Sequence, residues 1–179
     1  LHGNTDILYK NVYAYTEGEY PFTNHHWLSG VIFYLLHGLV GFDGLVVFKV
    51  LVLLAAFCLL FAVALKKADF WLVAAVAVPS ILVLRERTGL RPEIFSYFLI
   101  ALFLYLLSDL EEHPGHKRIF WLVPLQMVWV NLHIFSCIGI ALVAGFLLEK
   151  IRDRILIRKL SLLLVGVVGA TLINPYGIK

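Results

Sequence analysis

The sequence predicts an all-α membrane protein: a polytopic transmembrane helix bundle of about six spans, with one further juxtamembrane helix on its outer face. Three observations predict it. Of 179 residues, 61% are apolar and only 15% are charged. The charges are bunched into short clusters between long apolar runs, where a water-soluble domain would spread them over its surface. Residues 44–65, GLVVFKVLVLLAAFCLLFAVAL, carry a single charge, Lys49, in 22 residues, a length sufficient to cross a hydrocarbon core of about 30 Å. A mean hydropathy of +0.88 is too high for a soluble domain of this size.

The elements follow in order. A polar, aromatic-rich opening occupies residues 1–26 and is expected to be an outer loop. Residues 27–40 are apolar but short, and His26, Gly30, Tyr34 and His37 fall on one helical face with Trp27, Val31, Leu35 and Leu39 beside it, a pattern suited to a helix lying in an interface. Six apolar runs come next, 44–65, 70–84, 94–107, 119–130, 134–148 and 160–173. Several are shorter than the roughly 20 residues of a full span, which is tolerable inside a bundle where the bilayer thins. The whole chain, 1–179, reads as one transmembrane domain whose bundle occupies 44–173. It opens without an initiator Met or a preceding apolar span and stops after NPYGIK, so it is expected to be a fragment of a longer protein.

Sidedness follows from the basic residues. With 27–40 on the surface, one side collects Lys66, Lys67, Lys117, Arg118, Lys150, Arg152, Arg154, Arg158 and Lys159, and the other Lys10, Arg85, Arg87, Arg91 and Lys179. The richer side is expected to be cytoplasmic. The outer compartment then receives 1–26, the loop RERTGLRPE (85–93), the turn at Asn131–His133 and the NPYG end. The net charge of +3 is not gathered in a stripe and implies no nucleic-acid partner. Cys58 and Cys137 sit inside apolar runs and are expected to pack as small apolar side chains, without a disulfide.

Residues able to carry chemistry concentrate in that outer set. Asp6 is placed where a preceding span would emerge, and a carboxylate there can serve as general base; alone, a loop Asp is ordinarily a solvated residue. His25 and His26 follow Pro21, Thr23 and Asn24, which suit an extended approach to a helix and its cap. Adjacent residues point to different helix faces, so the two imidazoles are not expected to share one metal. Arg85, Arg87 and Arg91 lie with two glutamates in nine residues. That loop reads either as a salt-bridged, snorkelling segment or as an anion site, since guanidinium forks bind phosphate bidentately. Pro92 and Glu93 suit the first turn of the next helix. Asn131 and His133 read either as a turn between spans or as polar groups facing a cavity. Asn174, Pro175, Tyr176 and Gly177 suit a span terminator.

Taken together, the outer-loop Asp6, the segment HHWLSGVIFYLLHGLVGF, RPEIFSYFLIALFLYLL, WVNLH and NPYG resemble bacterial membrane proteins of the GT-C glycosyltransferase superfamily. These include uncharacterised relatives of the protein O-mannosyltransferases and of the lipid A aminoarabinose transferases. The resemblance implies transfer of a sugar from a polyprenyl-phosphate donor on the non-cytoplasmic face of the inner membrane. Asp6 matches the loop acid of such enzymes. The resemblance implies substrate contacts from His25, His26, Arg85, Arg87, Arg91 and His133. A lone Asp6 after Asn4 and Thr5 replaces the paired acids many members carry, and NHH replaces their Lys-Pro-Pro-type segment. The residues indicate no cofactor, and a divalent metal stays open. The competing expectations are a transporter or flippase for a lipid-linked or anionic solute, and a non-catalytic membrane scaffold.

Overall fold

A computed structural model describes residues 24–85 and 89–175. Among these residues the chain is all α, with six helices and no strand: α1 (Trp27–Leu65), α2 (Phe70–Arg85), α3 (Glu93–Glu112), α4 (Leu122–Leu132), α5 (Cys137–Glu149) and α6 (Arg154–Thr171). Short 3-10 turns, Arg118–Trp121 and Ile134–Ser136, lead into α4 and α5.

Local chemistry sets the helix starts. The Asp69 carboxylate accepts hydrogen bonds from the amides of Trp71 and Leu72 at 3.0 and 3.1 Å, ahead of α2. Asp153 does the same for Ile155 and Leu156 at 2.9 and 3.0 Å, opening α6. Both satisfy amides that have no intrahelical partner. Pro92, with φ −56°, precedes α3 and places Glu93 in its first turn. The five later apolar runs all become helices, though α3 continues to Glu112, beyond the expected 107, and α6 begins at Arg154, ahead of the expected 160.

The first stretch forms a helix of its own, as expected. Residues 27–40 and 42–65 are two helical arms of α1, separated by a sharp non-helical bend at Gly41, whose φ of 67° and ψ of −170° are accessible essentially to glycine alone. Close approach across the bend also requires Gly44, where a Cβ would run into the Val40 side chain. The rings of Phe33 and Phe48 lie 5.5 and 6.1 Å from the same Phe95 ring. In a straight helix, residues fifteen apart would be separated by about 22 Å, so the two arms of α1 fold toward each other at Gly41. Leu28, Ile32 and Phe33 of the first arm pack on the core, whereas Tyr34, Leu35 and Leu39 face outward.

The second arm, 42–65, runs alongside α3 in the same direction, with Phe48 near Phe95 and Lys66 beside Glu112 at 2.7 Å. The core gathers around α3, where Phe103 and Leu107 meet Leu122, Trp129, Val143, Leu163 and Val167, all fully buried. The exterior is apolar: Leu39 and Trp71 are each 80% exposed and Val165 71%. Cys58 and Cys137 are free and face this exterior, correcting the expectation that they pack internally.

Of the described helices, α1 and α3 are long and apolar enough to cross a membrane by length and composition. For α1 this holds without the first arm, because residues 42–65 alone rise about 36 Å. With 11 residues, α4 rises only about 16 Å.

Polar side chains collect at the two ends of the bundle. One end holds ion pairs from Lys67 and Lys150 to Glu111 at 2.9 and 2.6 Å, beside the Lys66–Glu112 pair. The opposite end holds His26, the start of α3 and the α4–α5 turn.

The bend should carry a purely conformational penalty. A Cβ at Gly41 meets nothing within 4 Å, so Gly41→Ala should destabilise by about 1–3 kcal/mol through backbone strain alone. Gly145→Ala, equally uncrowded within α5, should stabilise by about 0.5–1 kcal/mol. Unfolding midpoints in detergent would separate the two.

Candidate functional site

The end of the bundle opposite the ion pairs is assembled from five helix termini, the starts of α1, α3 and α5 and the ends of α4 and α6. Asn24 forms the approach: its side-chain oxygen accepts from the His26 amide at 3.1 Å. This turn does the work of a cap, since His26, at the N-cap position, offers no side-chain capping bond. The fully buried Ser29 donates its hydroxyl to the His26 carbonyl at 2.7 Å. Trp27 donates its indole N–H to Asn131 Oδ1 at 2.9 Å. The Asn131 amide in turn donates to the carbonyls of Met127 and Ile173, at 2.8 and 3.0 Å. One carboxamide thus joins the start of α1, the end of α4 and the end of α6.

His133 lies between α4 and α5 with an extended backbone, φ −160° and ψ 145°. Its Nδ1 is 2.9 Å from Ser96 Oγ on α3 and receives the Phe135 amide at 3.4 Å. Trp129 donates its indole N–H to the same Ser96 oxygen at 2.9 Å. Indole N–H can only donate, so the Ser96 hydroxyl is free to donate onward to His133 Nδ1. Two donors on Nδ1 assign the proton of the neutral ring to Nε2.

His26 stacks on His133, with ring centroids 4.9 Å apart and planes inclined by 21°. Its Nδ1 is buried without a hydrogen-bond partner among the described residues. Both imidazoles lie outside the helices and hold their pKa values below the usual histidine range. For His26 the main cause is burial, opposed by a hydrogen bond to the Leu132 backbone and reinforced by the His25 charge. For His133 it is again burial, reinforced by His26 and opposed by Glu93. The pair is therefore neutral near pH 7, and His26 presents an unoccupied lone pair able to accept a proton or hydrogen bond.

Comparison with protein-family models, with curated proteins and with solved structures finds no match to this chain. The site must therefore be read from its own geometry.

That geometry unites some of the sequence-predicted residues. His26 and His133 are in contact, while His25, next to His26 in the chain, is exposed. Arg91 is exposed and lies 3.8 Å from Glu93. Glu93 accepts from the Tyr97 hydroxyl at 3.2 Å and is close enough to His133 to act on its charge. Asp6 and Arg87 lie outside the described residues, and Arg85 is described only as the last residue of α2. Asn131 and His133 form a turn but are also buried in a network, which joins the two readings the sequence left open.

Tyr97 also lines an apolar groove of about 490 Å³ between the second arm of α1, α2 and α3. Leu53, Phe57 and Phe61 form one wall, and Leu72 and Val76 form another. The groove runs from Ala68, near the ion-paired end, to Tyr97 and Ser80. Sequence reasoning missed Ser96 and Trp129. Both sit in apolar runs, and only their tertiary contacts single them out.

Because both imidazoles have lowered pKa values, the unfolded chain binds their protons more readily than the folded one. Their contribution to stability is complete above the ordinary histidine pKa of about 6.5 and is lost as pH falls from there toward the lowered folded values. The unfolding midpoint should therefore drop between pH 7.5 and 5.5. His26→Phe, which retains a stacking ring without titrating, should reduce that drop. Replacing Asn131 by Leu should cost about 1–3 kcal/mol by orphaning the Trp27 N–H and the Ile173 carbonyl. A double-mutant cycle with Trp27→Phe, read by unfolding midpoint, should show coupling between the two positions.

Proposed function

We propose that this chain is the membrane-embedded part of a GT-C-type glycosyltransferase that moves a sugar from a polyprenyl-phosphate donor to an acceptor at the non-cytoplasmic face. The observation that carries the reading is a convergence at one end of the bundle. The neutral imidazole pair, the Arg91–Glu93 pair and the Tyr97 mouth of the apolar groove meet there.

The apolar exterior supports a bilayer as surrounding solvent, since exposed apolar surface on this scale would drive association in water. On this reading the ion-paired end faces the cytoplasm, in line with its excess of Lys and Arg. The first arm of α1, turned back at Gly41, lies along the outer boundary as the juxtamembrane helix. The groove receives part of the isoprenoid tail, and the arginines of residues 85–91 meet the phosphate.

The chemistry then divides as follows. Asp6 removes the proton from the acceptor hydroxyl as its oxygen attacks the anomeric carbon. The bond to the donor phosphate breaks, and Arg91, with Arg85 and Arg87, offsets the negative charge growing on the departing polyprenyl phosphate. His26 and His133 hold the site's geometry through their stacking and the bond to Ser96. Alignment of the two substrates at the boundary lowers the barrier further.

In the full-length protein, Asp6→Asn should reduce sugar transfer from a polyprenyl-phosphate donor by about 10²- to 10⁴-fold, the usual worth of a general base. Arg91→Ala should weaken donor use while leaving binding of the dephosphorylated polyprenol unchanged. Unimpaired transfer by Asp6→Asn would remove Asp6 as the base. Lipid-phosphate binding and translocation without any transfer would favour the transporter reading instead.

A further inference from the structure

We propose that Asp109, His113 and His116, at the ion-paired end of the bundle, form a binding site for a divalent transition-metal ion of the zinc class. This site lies at the opposite end of α3 from the imidazole pair and is independent of the transferase reading.

The sequence DLEEHPGH builds the site locally. Asp109 and His113 are one helical turn apart, so their side chains share a face. The helix ends at His113, whose amide still bonds to the Asp109 carbonyl at 2.8 Å. Pro114 and Gly115 then reverse the chain, and the His116 amide bonds back to the His113 carbonyl at 3.0 Å. Lys159, from α6, donates to the Pro114 carbonyl and fixes the turn.

This backbone stacks the two imidazoles, with centroids 4.7 Å apart and planes within 13°. Their Nδ1 atoms lie 3.4 and 3.0 Å from the two Asp109 oxygens. One ligand atom from each of the three residues falls within 4.8 Å of the others. A tetrahedral ion with ligands at about 2.0–2.1 Å holds neighbouring ligand atoms roughly 3.3 Å apart. The two carboxylate-to-imidazole spacings, each to a different Asp109 oxygen, are close to that value. With one oxygen as ligand, the three donor atoms start within 4.8 Å of one another and a small rotation of the side chains closes them on the ion.

Two imidazole nitrogens and one carboxylate oxygen suit zinc, cobalt or nickel rather than calcium or magnesium, which take oxygen ligands. His113 and His116 are 55% and 42% exposed, whereas Asp109 is only 14% exposed. A fourth ligand position therefore faces solvent, and the ion can exchange. Arg118 and Lys66 act on the Asp109 charge from nearby, and Glu111 and Glu112 are engaged by Lys67, Lys150 and Lys66. The surroundings add no surplus negative charge, so affinity should fall below that of closed four-ligand sites. Bound metal would replace the contact between His116 Nδ1 and Asp109, and would tether the α3–α4 loop to the end of α3.

The test uses the tag-free chain in detergent at pH 7.5, with Co²⁺ and Zn²⁺ as probes. Expected are one equivalent of Co²⁺ with visible d–d absorption, its displacement by Zn²⁺, and a higher unfolding midpoint with Zn²⁺ present. His113→Ala and His116→Ala should each weaken binding by more than about 10- to 100-fold, the loss that follows removal of a mere supporting partner. His25→Ala should leave it unchanged. Should a variant fail to fold, Zn²⁺ must still protect His113 and His116 of the unaltered protein from carbethoxylation, read by peptide mass spectrometry. Absence of saturable binding, binding retained in the double variant, or carbethoxylation unaffected by Zn²⁺ would each overturn the site.

Discussion

The carboxamide of Asn131 sets the geometry of one whole end of the bundle. Placed at the end of α4, it accepts from an indole on α1 and donates to the Met127 carbonyl of its own helix and to the Ile173 carbonyl just past α6. In apolar surroundings each of these groups would be costly if left unpaired. The relative positions of three helix ends are thus fixed by one side chain with three partners. The Trp129–Ser96–His133 chain adds α3 and the start of α5 on the same principle. Apolar packing supplies most of the attraction between helices, but it is tolerant of small sliding. Hydrogen bonds at defined distances are not, and they determine where His26 meets His133.

The opposite end is organised by charge rather than by buried dipoles. Glu111 receives both Lys67 and Lys150, and Lys150 also reaches Glu149 at 2.8 Å. Individually such exposed pairs contribute little. As a set they connect the ends of α1, α3 and α5, and beside them the DLEEHPGH turn brings its two imidazoles together. The molecule therefore has one end held mainly by buried dipoles and another held by ion pairs, separated by apolar side chains.

Much of this was legible in the sequence. The five later apolar runs have lengths and polar boundaries suited to helices, and Pro92 marks the start of α3 by known chemistry; the caps at Asp69 and Asp153 emerged only with the structure. The break at Gly41 was legible as the boundary between the apolar stretches 27–40 and 44–65, but its sharpness was not, because nothing local announces that helical hydrogen bonding resumes at once on its far side. The exposure of Cys58 and Cys137 also escaped, since an apolar run does not reveal which of its faces points inward when both are apolar. His26 and His133, 107 residues apart, could be nominated separately, but their contact depends on how α4 packs against α1. Ser96 gave no signal, being a small polar residue of a kind that apolar helices carry without consequence.

The brevity of α4 and α5 has its own outcome. His133 bonds to Ser96, which lies one helical turn inward from the beginning of α3. The link between these two helices consequently sits below the level at which α3 begins, recessed rather than projecting. The imidazoles are held against the bundle interior, where burial keeps both uncharged near pH 7. Acidification would therefore place charge where burial outweighs the nearby Glu93 carboxylate, and this end of the molecule should loosen before the ion-paired end does.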